Sequence, residues 1–146
     1  MSIRSARRLA LCVVAAALLA TPLVLLPGCT LIAAPPTQAV SLLEPADGSV
    51  LTSPFRVRFG IRGMAVAPAG DIVANSGHHH LVINGGAVPA GESVPFTERH
   101  QHFGKGQTET EVRLPPGVYQ LTAQFANGAH QSYGQAMSQT IKVTVK

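Results

Sequence analysis

Apolar and polar residues alternate with a period of two through much of the chain beyond residue 40. Phe55, Val57, Phe59 and Ile61 share one face of an extended segment whose other face carries Arg56, Arg58 and Arg62. A helix would scatter those four apolar side chains around its circumference. Gln139 to Lys146 alternates in the same way, and Val118 to Phe125 sets Tyr119, Leu121, Ala123 and Phe125 on one side. Thr108 to Leu114 reads as a further strand, ending at the turn Pro115-Pro116-Gly117. Pro45-Ala46-Asp47-Gly48 and Asn84-Gly85-Gly86 are turn signals, and Pro68-Ala69-Gly70 and Pro89-Ala90-Gly91 mark longer loops. No segment carries the pattern of a long, capped amphipathic helix. The chain is therefore expected to be all-β, an immunoglobulin-like antiparallel β-sandwich of about seven strands over residues 40–146.

The pattern ahead of that domain is different. Arg4, Arg7 and Arg8 precede an almost unbroken apolar run from Leu9 to Leu26, which ends in Leu26-Pro27-Gly28-Cys29. This is the layout of an export signal over residues 1–28, followed by a tether over 29–39 in which Pro35-Pro36 favours an extended path. Leu26-Pro27-Gly28-Cys29 is similar to a bacterial lipobox, which implies lipidation of Cys29 and membrane attachment through that lipid. Pro27 departs from the small or β-branched residue usual there. Cleavage after Ala34 or Ala39 would instead release a soluble periplasmic protein, and a retained span is the third alternative, disfavoured by Pro22 and by Gly28-Cys29.

Export changes the meaning of the charge. The chain carries 11 Lys and Arg against 7 Asp and Glu, a net +4. Three of those arginines leave with the signal, so eight basic residues face seven acidic ones beyond it. No basic patch interleaved with aromatics remains, and nucleic acid is not an expected partner. The 2 cysteines are Cys12, inside the apolar run, and Cys29. The folded domain thus has neither a disulfide nor a thiolate to offer a metal.

Its distinctive chemistry is histidine. Five of the 6 histidines fall in Gly77-His78-His79-His80-Leu81 and His100-Gln101-His102, and the sixth is His130. Alternation along His78 to Ile83 sets His79 on the face of Leu81 and Ile83, towards the core, and His78 and His80 on the other. A His-x-His pair on one strand directs two imidazoles to one side, within reach of a single ion. His78, His80, His100 and His102 are therefore the expected metal ligands, with copper ahead of zinc on an all-nitrogen donor set. His79, His130, Glu98 and Met64 are candidates for a further ligand or an orienting role, and a thioether from Met64 or Met137 would favour Cu(I). Structural histidines that only bond to loop carbonyls are the plainer alternative, most of all for His79 and His130. Glu109 and Glu111 alternate as on an exposed strand and are expected to face solvent.

Several of these segments occur in a particular order: Ser53-Pro54-Phe55-Arg56-Val57, Gly63 to Gly70, Gly77-His78-His79-His80-Leu81, His102-Phe103-Gly104-Lys105-Gly106-Gln107-Thr108-Glu109 and Leu114-Pro115-Pro116-Gly117. In that order they resemble a bacterial exported family known as domain of unknown function 4399. The resemblance implies an exported β-sandwich module and no established activity. Members commonly carry Ile-Asp where this chain has Ile83-Asn84, and Gly-Asp-x-x-His where it has Ala126-Asn127-Gly128-Ala129-His130. Any mechanism that needs an aspartate at either place is thereby put in doubt. A looser likeness, in architecture and histidines alone, is to periplasmic copper-binding β-sandwich proteins.

The expectation from sequence is a non-enzymatic, envelope-associated domain that binds copper or zinc. The alternative is a structural or interaction module for envelope proteins, its histidines organising loops or responding to pH. A metal-assisted hydrolase, with Glu98 as base, is the minority reading.

Overall fold

The computed structural model describes residues 37–146, and the signal, most of the tether, Cys12 and Cys29 lie outside the described residues. Period-two alternation becomes strand wherever it runs long enough. Phe55–Arg62, Gly117–Ala126 and Ser138–Val145 are strands with most of their apolar residues turned inward, Val118 being exposed. The full set is β1 (Ala39–Glu44), β2 (Val50–Leu51), β3 (Phe55–Arg62), β4 (Ala65–Val66), β5 (Ser76–Ile83), β6 (His100–His102), β7 (Glu109–Val112), β8 (Gly117–Ala126) and β9 (Ser138–Val145). A single 3₁₀ turn at Gln135–Met137 is the one helical element among the described residues. Nine strands stand where about seven were expected, because β2, β4 and β6 are two or three residues long and too short to show a period.

The strands form two sheets of a sandwich. One has the order β1-β3-β7, and the other β2-β9-β8-β5-β4, with β6 also paired to β5. Pairing is antiparallel except for the short β2–β9 and β4–β5 ladders. Between the sheets lies the main core, to which β3 gives Phe55, Val57 and Phe59, β5 gives Leu81 and Ile83, and β8 gives Leu121, Ala123 and Phe125. On the outer face of the smaller sheet Arg58 pairs with Glu44 (3.1 Å) and reaches Glu109 (3.8 Å), Arg56 pairs with Glu109, and Arg113 pairs with Glu111 (2.8 Å). Glu109 and Glu111 are solvent-exposed, as their alternation predicts.

Strand β5 departs from the ordinary half-buried pattern, since all eight of its residues are buried. The outer face of an antiparallel sheet usually meets water. Here two loops roof it. Val88 and Val94, from the loop between β5 and β6, pack on Ala126 of β8 as a second apolar cluster. Gln124 fastens the roof: Val88 N–H donates to its side-chain oxygen (3.0 Å), and its amide donates to the carbonyls of Gly134 (3.2 Å) and Met137 (3.1 Å). Ser132 Oγ donates to Val88 O (2.8 Å) and joins the two loops. Under the roof the outer side of β5 is buried, with His78 and His80 on it.

Candidate metal centre

Strand geometry decides which imidazoles meet. His79 points between the sheets, where its ring stacks on Phe59 (centroids 4.8 Å, interplanar 12°) and meets Phe125 edge-on at 5.0 Å. His78 and His80 project to the other side, their rings 4.7 Å apart. Gly77 permits this approach to β8, since a methyl group there would collide with the carbonyl oxygen of Ala126.

Strand β6 pairs with β5 so that His102 lies directly opposite His80, and their rings are 5.0 Å apart. The His102 ring also meets that of His78 edge-on at 4.8 Å. His130 arrives on the turn after β8. Asn127 Oδ1 accepts from the backbone N–H groups of Ala129 (2.9 Å) and Gln131 (3.0 Å), and His130 N–H donates to Asn127 O (2.9 Å). The turn holds His130 at φ 62, a left-handed conformation that few non-glycine residues adopt. Its ring lies 4.9 Å from that of His78, 4.7 Å from that of His102 and 6.1 Å from that of His80. His130 Nε2 and His102 Nε2 are 3.0 Å apart and share a hydrogen bond.

Four imidazoles from three elements thus enclose one small volume. One donor nitrogen from each of His78, His80 and His102 falls within 4.8 Å of the others. Ligands at about 2.0–2.1 Å around a tetrahedral ion stand about 3.3 Å apart, so the rings need to close by about 1.5 Å or less. Both ring nitrogens of His78 and of His80 are buried without a hydrogen-bond partner. Buried polar atoms in native proteins nearly always have one, and a metal ion would supply it.

The electrostatics suit a ligand set. Burial first, then the neighbouring His102 and His130, hold His78 at about 4. Burial, with the surrounding imidazoles adding to it, holds His80 at about 2. His102 is lowered by burial and by His130. Neutral imidazole is the form that binds metal, so near pH 7 no proton has to be removed from a cation first.

The other expected residues are placed elsewhere. His100 shares the strand with His102, but its Nδ1 is engaged with Thr97 Oγ1 at 2.7 Å and it is not in the donor group. Glu98 is exposed in the adjoining turn and is likewise outside that group. Met64 packs against the main core and Met137 lies within it. Two asparagines act as backbone acceptors near these elements: Asn84 Oδ1 accepts from Gln120 N–H (3.0 Å), as Asn127 Oδ1 does in its turn. An amide satisfies both backbones as a carboxylate would.

Two residues at the cluster escaped the sequence reading. Phe96 is 68% exposed, yet its ring sits 5.0 Å from that of His130 and 5.5 Å from that of His102. Gly104 lies flat against the His102 ring, where an added methyl would strike Cε1 and Nε2. The glycine two residues after His-x-His was the available signal for the second; an apolar residue in a long loop gave none for the first.

No curated protein and no solved structure matches the chain. The model of the family described as domain of unknown function (DUF4399) matches residues 57–146, a span holding all four clustered histidines. The chain belongs to that family.

Proposed function

We propose that the domain binds one transition-metal ion through His78, His80 and His102, with His130 beside them, and that it does so as a carrier or sensor and not as a catalyst. The observation that carries this is the set of buried, unpartnered nitrogens on His78 and His80, facing His102 within 4.8 Å. An imidazole-only set suits Cu(II) and Zn(II), and the divalent affinity order puts copper first. The thioethers that would favour Cu(I) pack with the apolar core. The donor group contains no carboxylate to serve as a base beside a metal-bound water. Export and attachment through Cys29 remain part of the proposal, supported by the sequence of the first 29 residues.

The test is calorimetry and thermal melting of the full chain in mild detergent, without an added histidine tag, against Cu(II), Zn(II) and Cu(I). One equivalent of Cu(II) or Zn(II) should bind and raise the melting point; at a hundredfold excess over Kd the stabilisation is about 2.7 kcal/mol. The joint change His78→Ala and His80→Ala should abolish this, and His100→Ala should leave it intact. Weak binding of several equivalents with an unchanged melting point would overturn the proposal.

A further inference from the structure

The four imidazoles are not equivalent. His78 and His80 are 0% and 1% exposed, whereas His102 and His130 are only part-buried. An ion coming from solvent therefore reaches the second pair first. Their Nε2 atoms stand 3.0 Å apart, near the about 3.3 Å between ligands of a tetrahedral ion, so an ion that displaced the shared proton would bridge them with little movement. His102 belongs to both sets, since it also completes the inner group with His78 and His80. His130 is the outlying member, its ring 6.1 Å from that of His80, and a turn supplies it where strands supply the other three.

Phe96 sits over this outer pair. A largely exposed phenylalanine gains little from burial, and its edge-on contacts with His102 and His130 give it a position that packing elsewhere does not explain. Its ring thus packs against the two part-buried imidazoles and, among the described residues, makes no ring contact with the fully buried His78 and His80.

We propose that His130 is the capture ligand of the site: it takes the incoming ion together with His102, His102 then carries it over to His78 and His80, and Phe96 acts as a shutter that slows exchange in both directions. This rests on the metal-binding reading above. His130 sets the rate at which the site loads more than the affinity of the loaded site.

Stopped-flow mixing of the full chain with Cu(II), and chelator-driven release, separate this from the role of an ordinary fourth ligand. His130→Asn is the informative change, because Asn tolerates the left-handed backbone and the turn is kept. It should slow loading and release together by about tenfold with little change in Kd; loss of an ordinary contact shows mainly as faster release. Phe96→Ala should speed both directions severalfold at unchanged Kd. Faster release from His130→Asn with normal loading would overturn the proposal, as would unaltered rates in both variants. A parent protein that takes up no Cu(II) fails at the earlier step, before any variant is compared.

Discussion

Strand β5 carries three consecutive histidines with the same burial, 0% for His78 and His79 and 1% for His80, and with ring nitrogens that all lack hydrogen-bond partners. They nevertheless belong to two different regions. His79 faces Phe59 and Phe125 in the core between the sheets, and among the described residues it is not part of the donor group. His78 and His80 face His102 and His130 under the roof. Burial and a lowered pKa are common to all three and do not tell them apart. What separates a packed ring from a candidate ligand here is the face of the strand and the residues that the opposite elements bring to it.

The largest expected effect puts both regions under one stress. The unfolded chain takes up protons as pH falls below the ordinary histidine value of 6.5, while the folded chain withholds them from His78 and His79 until about 4 and from His80 until about 2. Between those limits the unfolded state binds more protons, so stability is fully present above pH 6.5 and is lost as pH falls towards 4. Each histidine contributes a slope of up to about 1.4 kcal/mol per pH unit, and three together can exhaust a stability of about 5–15 kcal/mol within a few units. Denaturant melts of the metal-free protein from pH 7.5 to 4.5 should show this fall. Bound metal should steepen it, because acid also releases the ion. A flat profile would mean that water or protons reach these rings freely, and the contrast with exposed histidine would collapse.

Local pattern and distant register divided the information unequally. The alternation of Phe55 to Ile61 and of Tyr119 to Phe125 read directly as β3 and β8, because each face of a strand meets one environment for its whole length. The same rule separated His79 from His78 and His80. At His100-Gln101-His102, which has identical spacing, it puts both residues on one face but does not say which of them stands opposite the β5 pair. The tight turn from Thr97 engages His100 in a local hydrogen bond, and only the pairing of β6 with β5 brings His102 opposite His80. His130 lies 28 residues beyond His102 in the chain and arrives through a left-handed turn. Neither the pairing partner of a three-residue strand nor the closure of such a loop leaves a periodic trace in the sequence. Nor did anything local announce that loops roof β5, which is what makes its outer histidines buried.

Gly104 offers a smaller and more directed break. Its backbone does not need a positive φ, so alanine is tolerated by the chain itself. The added methyl would strike the His102 ring and also crowd Ala69 Cβ. Gly104→Ala should therefore turn His102 away from the outer group while leaving the inner core untouched. The expected result is a loss of about tenfold in Cu(II) affinity, the scale of a disturbed ligand support, with the metal-free melting point nearly constant. The electron paramagnetic resonance spectrum of the Cu(II) form should change, reporting fewer or rearranged nitrogen ligands. Parental affinity and spectrum would remove His102 from the site.

The finest test leaves the metal alone and sharpens the contrast between faces. Replacing a buried histidine that makes no hydrogen bonds by leucine of similar bulk removes two unsatisfied polar atoms, and the lost ring stacking opposes that gain. In the metal-free protein, His79→Leu and His78→Leu should each change stability by about 1 kcal/mol or less, in the stabilising direction where packing adapts. Their metal behaviour should then diverge. His79→Leu should keep Cu(II) affinity within about twofold, since its ring lies on the side of the sheet away from every donor. His78→Leu should lose tight binding and the metal-dependent rise in melting point. Equal loss in both variants would show that the integrity of β5 as a whole, and not the face of each ring, governs the site. Divergence at equal metal-free stability attributes binding to the outer ring, because the two substitutions are adjacent in the chain, alike in chemistry and opposite only in direction.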